Sequence, residues 1–215
     1  MGIVCYICGM TGLLIATSNP GKREEYEYLL ASLNLPLVTP GGINLSIHVD
    51  ECGQSYAENA RSKALAYCQA SGLLTLADDS GLEVDALHGE PGLHSARYGG
   101  PDLDDRARFR LLLQQLDGVP WEERSARFRC VIVVAAPGGV TYSSEGVCEG
   151  LIAFGPKGEH GFGYDPVFCL PEHDCTMSEL PPRVKNRVSH RARAVEKMLP
   201  VLSRVVADES VPGHH

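Results

Sequence analysis

The stretch "LLIATSNPGKREEYEYLL", Leu13 to Leu30, limits the possible folds more than any other part of the chain. An apolar run gives way to a short polar loop, and an amphipathic pattern begins after Gly21-Lys22. A strand that hands a loop to a helix N-terminus is the building unit of α/β folds. Backbone N–H groups at such a helix start, with Lys22 beside them, suit a phosphate, and Thr17 and Asn19 add neutral hydrogen-bonding groups. The loop is not a Walker A motif, which needs Gly five residues before the Gly-Lys and Ser or Thr after it. Here those positions hold Ala16 and Arg23. The other reading is a capped turn with a surface lysine.

The elements that follow keep the α/β pattern. Tyr26, Leu29, Leu30 and Leu33 give one apolar helix face, ended by Asn34-Leu35-Pro36. An extended run is expected near Leu45–Val49. Ser55 and Glu58 form a capping box for a helix with a small-residue face at Ala57, Ala60, Ala64 and Cys68, stopped by Gly72. "LLTLADDSG" reads as a short strand ending in two acids. A helix is expected from about Leu103 to Leu116, and two strands joined by a Pro-Gly-Gly turn span "ARFRCVIVVAAPGGVTYSSEGVCEG". A last helix starts near Ser189 and turns Ala192, Val195 and Leu199 inward. One hairpin among alternating helices and strands implies an α/β fold on a mixed sheet.

Bulk properties remove several functions. A net charge of −8 argues against a nucleic-acid polymer as partner, since phosphate-backbone binding rests on a basic field. A small anionic ligand needs only local positive charge. No apolar run is long enough to span a membrane. The apolar opening "MGIVCYICGMTGLLIA" lacks a basic n-region, and cleavage near its end would remove the first strand, so residues 1–12 read as an extension. Of eight cysteines only Cys5 and Cys8 form a C-x-x-C, without the second pair that a zinc site requires. The others sit mostly in apolar runs, as small core residues of a reducing, cytoplasmic protein.

Four clusters could carry chemistry. The first is the Thr17–Lys22 loop: Thr17, Ser18, Asn19, Pro20, Gly21 and Lys22. The second is "ADDSGLEVDAL", where Asp78 and Asp79 stand at a strand end, a usual ligand position in α/β sheets. Mg²⁺ takes one or two carboxylates and fills its shell with water and substrate phosphate. Adjacent acids on a strand point to opposite faces, so one of the two faces a given ligand. The bland alternative is a solvated turn. The third is Glu51, free to reach a metal, with Glu58 engaged as a cap. The fourth joins "GFGYDPVF" to "KNRVSHRARA". Phe162 and Tyr164, flanked by glycines, could let a flat base approach and stack, or Phe162 could plug the core. Ser189 would place His190 and Arg191 in a first helical turn, where a bound anion would relieve the opposed dipole. Together these parts suit a nucleoside triphosphate with magnesium.

The blocks "TSNPGK", "ENARSKA", "ADDSGLEVDAL", "PGLHSARYGG", "GFGYDPVF" and "SHRARA" stand in the order seen in the inosine triphosphate pyrophosphatase family, and the chain resembles that family from Leu13 to Leu202. The resemblance implies an elongated mixed sheet flanked by helices, in two lobes with a central cleft, spanning residues 13–205 with a tail at 206–215. It implies Mg²⁺-dependent hydrolysis of ITP, dITP and XTP to a monophosphate and pyrophosphate, by a homodimer. Carried over by position, Thr17 to Lys22 cradle phosphates and Glu51 and Asp79 hold the metal. Asp79 takes a proton from the attacking water or positions a metal-bound one. Ser80 lies beside the substrate, and Phe162, Gly163, Tyr164 and Asp165 line the base and sugar pocket. Lys185 neutralises phosphate, and His190 and Arg191 read the keto edge. The alternatives are a catalytically silent nucleotide sensor and a related pyrophosphatase for modified pyrimidine or methylated guanosine triphosphates.

Overall fold

Seven strands make one sheet in a computed structural model that describes residues 12–209. They are β1 (Leu13–Ile15), β2 (Leu37–Val38), β3 (Leu74–Val84), β4 (Ser125–Ala135), β5 (Thr141–Ile152), β6 (Phe168–Leu170) and β7 (Cys175–Thr176), in the order β2-β1-β3-β4-β5-β6-β7. The helices are α1 (Pro20–Leu29), α2 (Tyr56–Ser71), α3 (Asp105–Gln115), α4 (Pro182–Val188) and α5 (His190–Glu209). Strand β1 pairs in parallel with β2 and β3, whereas β6 runs antiparallel to β5 and β7. The sheet is therefore mixed, as the order of elements implies. Among the described residues no helix is long and apolar enough to cross a membrane. Cys5 and Cys8 lie outside the described residues.

The chain divides into two compact units. The first takes the chain up to Asp79, Val131–Glu145, and the chain from Arg193; the second takes Ser80–Cys130 and Gly146–Ala192. In the first, Leu13, Leu14 and Ile15 of β1 are buried, as are Ala60 and Ala64 of α2. In the second, Leu82, Phe109, Leu112, Phe128, Phe168 and Met177 belong to one apolar cluster.

Local chemistry explains most boundaries. Asn19 caps α1, its side chain accepting from Lys22 N–H, and Pro20 opens the helix where its missing N–H costs nothing. The helix ends at Leu29, a turn earlier than its apolar pattern, and a 3-10 turn carries the chain to Asn34 in the left-handed region. Ser55 Oγ accepts from Glu58 N–H at 3.2 Å, while Glu58 Oε2 accepts from Gln54 N–H at 2.8 Å. Ala57 is exposed; Tyr56, Ala60, Ala64 and Cys68 form the buried face of α2 at i+4 spacing. Gly72, at φ 73°, ends it. The turn between β4 and β5 uses Gly138 and Gly139 at positive φ.

Two expectations are corrected. No strand forms at Leu45–Val49. Leu45, Ile47 and Val49 do alternate as half-buried residues with exposed neighbours, but the segment is irregular, and the strand beside β1 is Leu37–Val38. Nor does β3 stop at its two acids: it runs on to Val84, because Leu82 and Val84 resume the buried alternation.

Candidate active site

In the first unit the strand pleat sends the paired acids to different partners. Asp78, 1% exposed, receives Lys22 Nζ at 2.8 Å. Asp79 Oδ2 accepts from Asn59 Nδ2 at 2.9 Å. Glu51 pairs with Lys63, which lies one turn beyond Asn59 on α2. The Thr17–Lys22 loop is tied internally, with Asn19 N–H donating to Thr17 Oγ1 at 3.2 Å and Lys22 N–H to Asn19 Oδ1 at 3.0 Å. Ser18 is exposed in this loop. It is thus a capped turn, as one reading held, but its lysine is drawn inward rather than left on the surface.

Electrostatics binds these groups into one cluster. Burial pushes the Asp79 carboxyl above its ordinary pKa. The Asn59 amide and the charges of Lys22 and Lys63 oppose that, and Glu51 adds to it. For Lys63 burial alone would depress the ammonium, but Asp78, Glu51 and Asp79 outweigh it and hold the pKa above the ordinary lysine value. Three carboxylates thus face two ammonium groups. That set accepts further positive charge, and Glu51 with Asp79 matches the one or two carboxylates that Mg²⁺ uses. Among the described residues no group of three or more His, Cys, Asp or Glu could hold a metal, so water, and substrate phosphate once bound, would complete the shell.

The second unit holds the aromatic and cationic residues. Phe162 N–H donates to Asp165 Oδ2 at 2.9 Å and Gly163 N–H to Asp105 Oδ2 at 2.8 Å. These anchors fix the glycine-flanked loop. Buried Lys185 makes an ion pair with buried Asp165, and its Nζ stands 4.7 Å from the Phe162 ring centroid. Arg191, 1% exposed, has its guanidinium carbon 5.9 Å from the same ring and donates to Ser80 Oγ at 3.1 Å. Ser189 caps α5 through Ala192 N–H, which puts His190 and Arg191 in its first turn. The His190 ring lies on Phe128 at 4.7 Å and 17°, and Phe128 in turn packs on Phe168 at 4.5 Å. Tyr164 is held in place firmly: its ring joins the apolar cluster, its hydroxyl donates to Ser95 O at 2.9 Å, and burial raises its pKa.

Sequence reasoning named Glu51, Asp79 and Lys22 but missed Asn59, Lys63, Asp105 and Phe128. The i, i+4 spacing of Asn59 and Lys63 on α2 was an available signal for two of them. Nothing in the sequence marked Phe128 or Asp105.

Comparison with known proteins bears on these residues. The Ham1 family model matches residues 13–201. A dITP/XTP pyrophosphatase of Desulforamulus reducens is 47% identical over 199 residues, covering 93% of this chain and 99% of the relative. Another dITP/XTP pyrophosphatase, from Geobacillus kaustophilus, is 48% identical over 189 residues, covering 88% and 93%. The solved structure of a HAM1 protein from Coxiella burnetii superposes with a TM-score of 0.80 at 37% identity, covering 93% of this chain and all of that one.

Proposed function

Because the chain belongs to the Ham1 family, we propose that it is a pyrophosphatase of deaminated purine nucleotides. It hydrolyses dITP, ITP and XTP between the α and β phosphates, releasing a monophosphate and pyrophosphate. The observation that carries this reading to particular residues is the partly buried cluster in which Glu51, Asp78 and Asp79 interleave with Lys22 and Lys63.

Phosphoryl chemistry needs positioning and charge neutralisation more than covalent help. Lys22 and Lys63, already directed at carboxylates, can turn to phosphate oxygens, with Thr17, Ser18, Asn19, Pro20 and Gly21 shaping the loop beside them. Glu51 and Asp79 would hold Mg²⁺, which when bound lowers the pKa of a coordinated water and offsets phosphate charge. Burial raises the basicity of Asp79, which suits it to accept the proton of the attacking water or to orient that water.

The second unit's groups are assigned to the nucleoside. Phe162 stacks on the base, worth about 1–3 kcal/mol, while Ser80, Gly163, Tyr164 and Asp165 shape the base and sugar site. Lys185 adds cationic charge for phosphate. His190 and Arg191 donate to the 6-keto oxygen. An adenine 6-amino group also donates, so ATP would leave a buried donor unpaired. The protein acts as a homodimer in the cytoplasm, a setting that suits a chain whose cysteines sit mostly in apolar runs.

The test is product analysis after incubation with ITP, dITP, XTP, GTP and ATP, with and without Mg²⁺. Monophosphate and pyrophosphate from the first three, with little from ATP, are expected. Diphosphate plus phosphate would mean that a different bond is cut. Tight ITP binding without turnover would make the protein a nucleotide sensor.

A further inference from the structure

Helix α2 begins by gripping the loop that precedes it. Asn59, 3% exposed, uses both ends of its amide: Oδ1 accepts from Gly53 N–H at 2.8 Å and Nδ2 donates to Asp79 Oδ2 at 2.9 Å. These partners belong to the two segments that carry the metal carboxylates. Gly53 stands two residues after Glu51, and Asp79 lies on β3. The neighbouring Glu58 holds Gln54 N–H at 2.8 Å, so two consecutive side chains of α2 fix two consecutive backbone groups of the Glu51 loop.

The fit is close. A Cβ on Gly53 would stand 2.7 Å from Asn59 Oδ1 and 2.8 Å from Glu58 Cβ, so only glycine lets the loop approach this near without displacement. The chemistry is equally particular. A primary amide donates and accepts at once without charge. A carboxylate at position 59 could not donate to Asp79, and alanine could do neither.

We propose that Asn59 is a positioning residue of the reaction: by bridging Gly53 and Asp79 it sets the spacing and orientation of the Glu51 and Asp79 carboxylates for a divalent cation. This rests on the assignment of those two carboxylates to the metal. Asn59 acts through Asp79 and is not itself a ligand. Mg²⁺ demands near-octahedral geometry, so a carboxylate pair free to drift binds it less well even when both members remain.

The test reads cation binding without substrate. Free Mn²⁺ is followed by electron paramagnetic resonance as it is titrated into the nucleotide-free protein, with Glu51→Gln as the control for site. Asn59→Ala should weaken Mn²⁺ binding by about 10–100-fold, the usual effect of losing a group that orients a ligand. The Mg²⁺ needed for half-maximal ITP hydrolysis should rise in step, while KM for ITP at saturating Mg²⁺ stays unchanged. Gly53→Ala, which keeps the amide but displaces it, should shift Mn²⁺ affinity the same way and carries the test if Asn59→Ala fails to fold. Wild-type Mn²⁺ affinity in either folded variant overturns the inference, as does a lowered melting temperature with no change in cation binding. Wild-type protein that binds no Mn²⁺, or whose binding survives Glu51→Gln, overturns the metal assignment beneath it as well.

Discussion

Two glycines of one loop should respond to the same substitution in very different ways. Gly161 and Gly163 flank Phe162, both at positive φ, 78° and 62°. Alanine at either position incurs the left-handed backbone penalty of about 1–2 kcal/mol. At Gly163 nothing lies within 4 Å of the added Cβ, so that penalty is the whole cost. At Gly161 the Cβ would stand 2.1 Å from Asp165 Oδ2 and 3.1 Å from Lys185 Nζ. Asp165 has no room to yield: it is 3% exposed, and the same oxygen already holds Phe162 N–H and Lys185. Forcing that buried ion pair apart costs a further about 3–5 kcal/mol. For a chain of this length each kcal/mol lowers Tm by about 2–4 °C, so Gly161→Ala should melt about 6 °C or more below Gly163→Ala. Calorimetry on the two purified variants measures this, and KM for ITP should rise in Gly161→Ala, because Phe162 and Lys185 move with Asp165. Equal Tm losses in the two variants would refute the account of the Asp165–Lys185 pair as the anchor of the loop.

Other expectations follow from single groups. Asp79→Asn should cut turnover by about 10²–10⁴-fold while binding nucleotide; near-normal kcat would remove Asp79 from its role. The same variant tests a pH effect. In the metal-free protein burial raises the Asp79 pKa, so the folded state holds the proton to higher pH than the unfolded chain. Its contribution to stability is then greatest below the ordinary value of 3.8 and falls as pH rises toward the folded pKa. Asp79→Asn should flatten that part of the stability–pH curve, read from urea midpoints at each pH. His190→Ala should narrow the ITP-over-ATP ratio of kcat/KM about tenfold, equivalent to one lost hydrogen bond of about 1.4 kcal/mol; an unchanged ratio would place base reading elsewhere. Arg124 donates to four carbonyls, of Leu116, Val119, Ile152 and Ala153, at 2.8–3.5 Å. Arg124→Met should therefore destabilise by about 3–5 kcal/mol without changing substrate preference, and a loss under 1 kcal/mol by the same urea midpoints would show those carbonyls find water.

What the sequence disclosed was what short-range chemistry decides. The caps at Asn19, Ser55 and Ser189 follow from side chains reaching a backbone group within three residues, and each was legible or nearly so. The α/β order and the mixed sheet followed from periodicity. The failures came where long-range pairing decides. The alternation at Leu45–Val49 is real, yet a strand needs a neighbour, and β1 takes Leu37–Val38 instead. The acids of β3 look like an end because two charges break an apolar run, whereas the half-buried lysine and buried amide that satisfy them are distant in sequence. For the same reason the support of His190 by Phe128, 62 positions away, left no mark on either segment.

The pairing of Glu51 with Lys63 and of Asp78 with Lys22 has a practical consequence. Two partly buried ammonium groups act as resident counter-ions, so most of the charge of the three carboxylates is offset before any ligand arrives. A protein built this way tolerates a chelator: stripping divalent ions should silence it without unfolding it, and adding them back should restore full activity. Its output would then follow the supply of free magnesium as a dial.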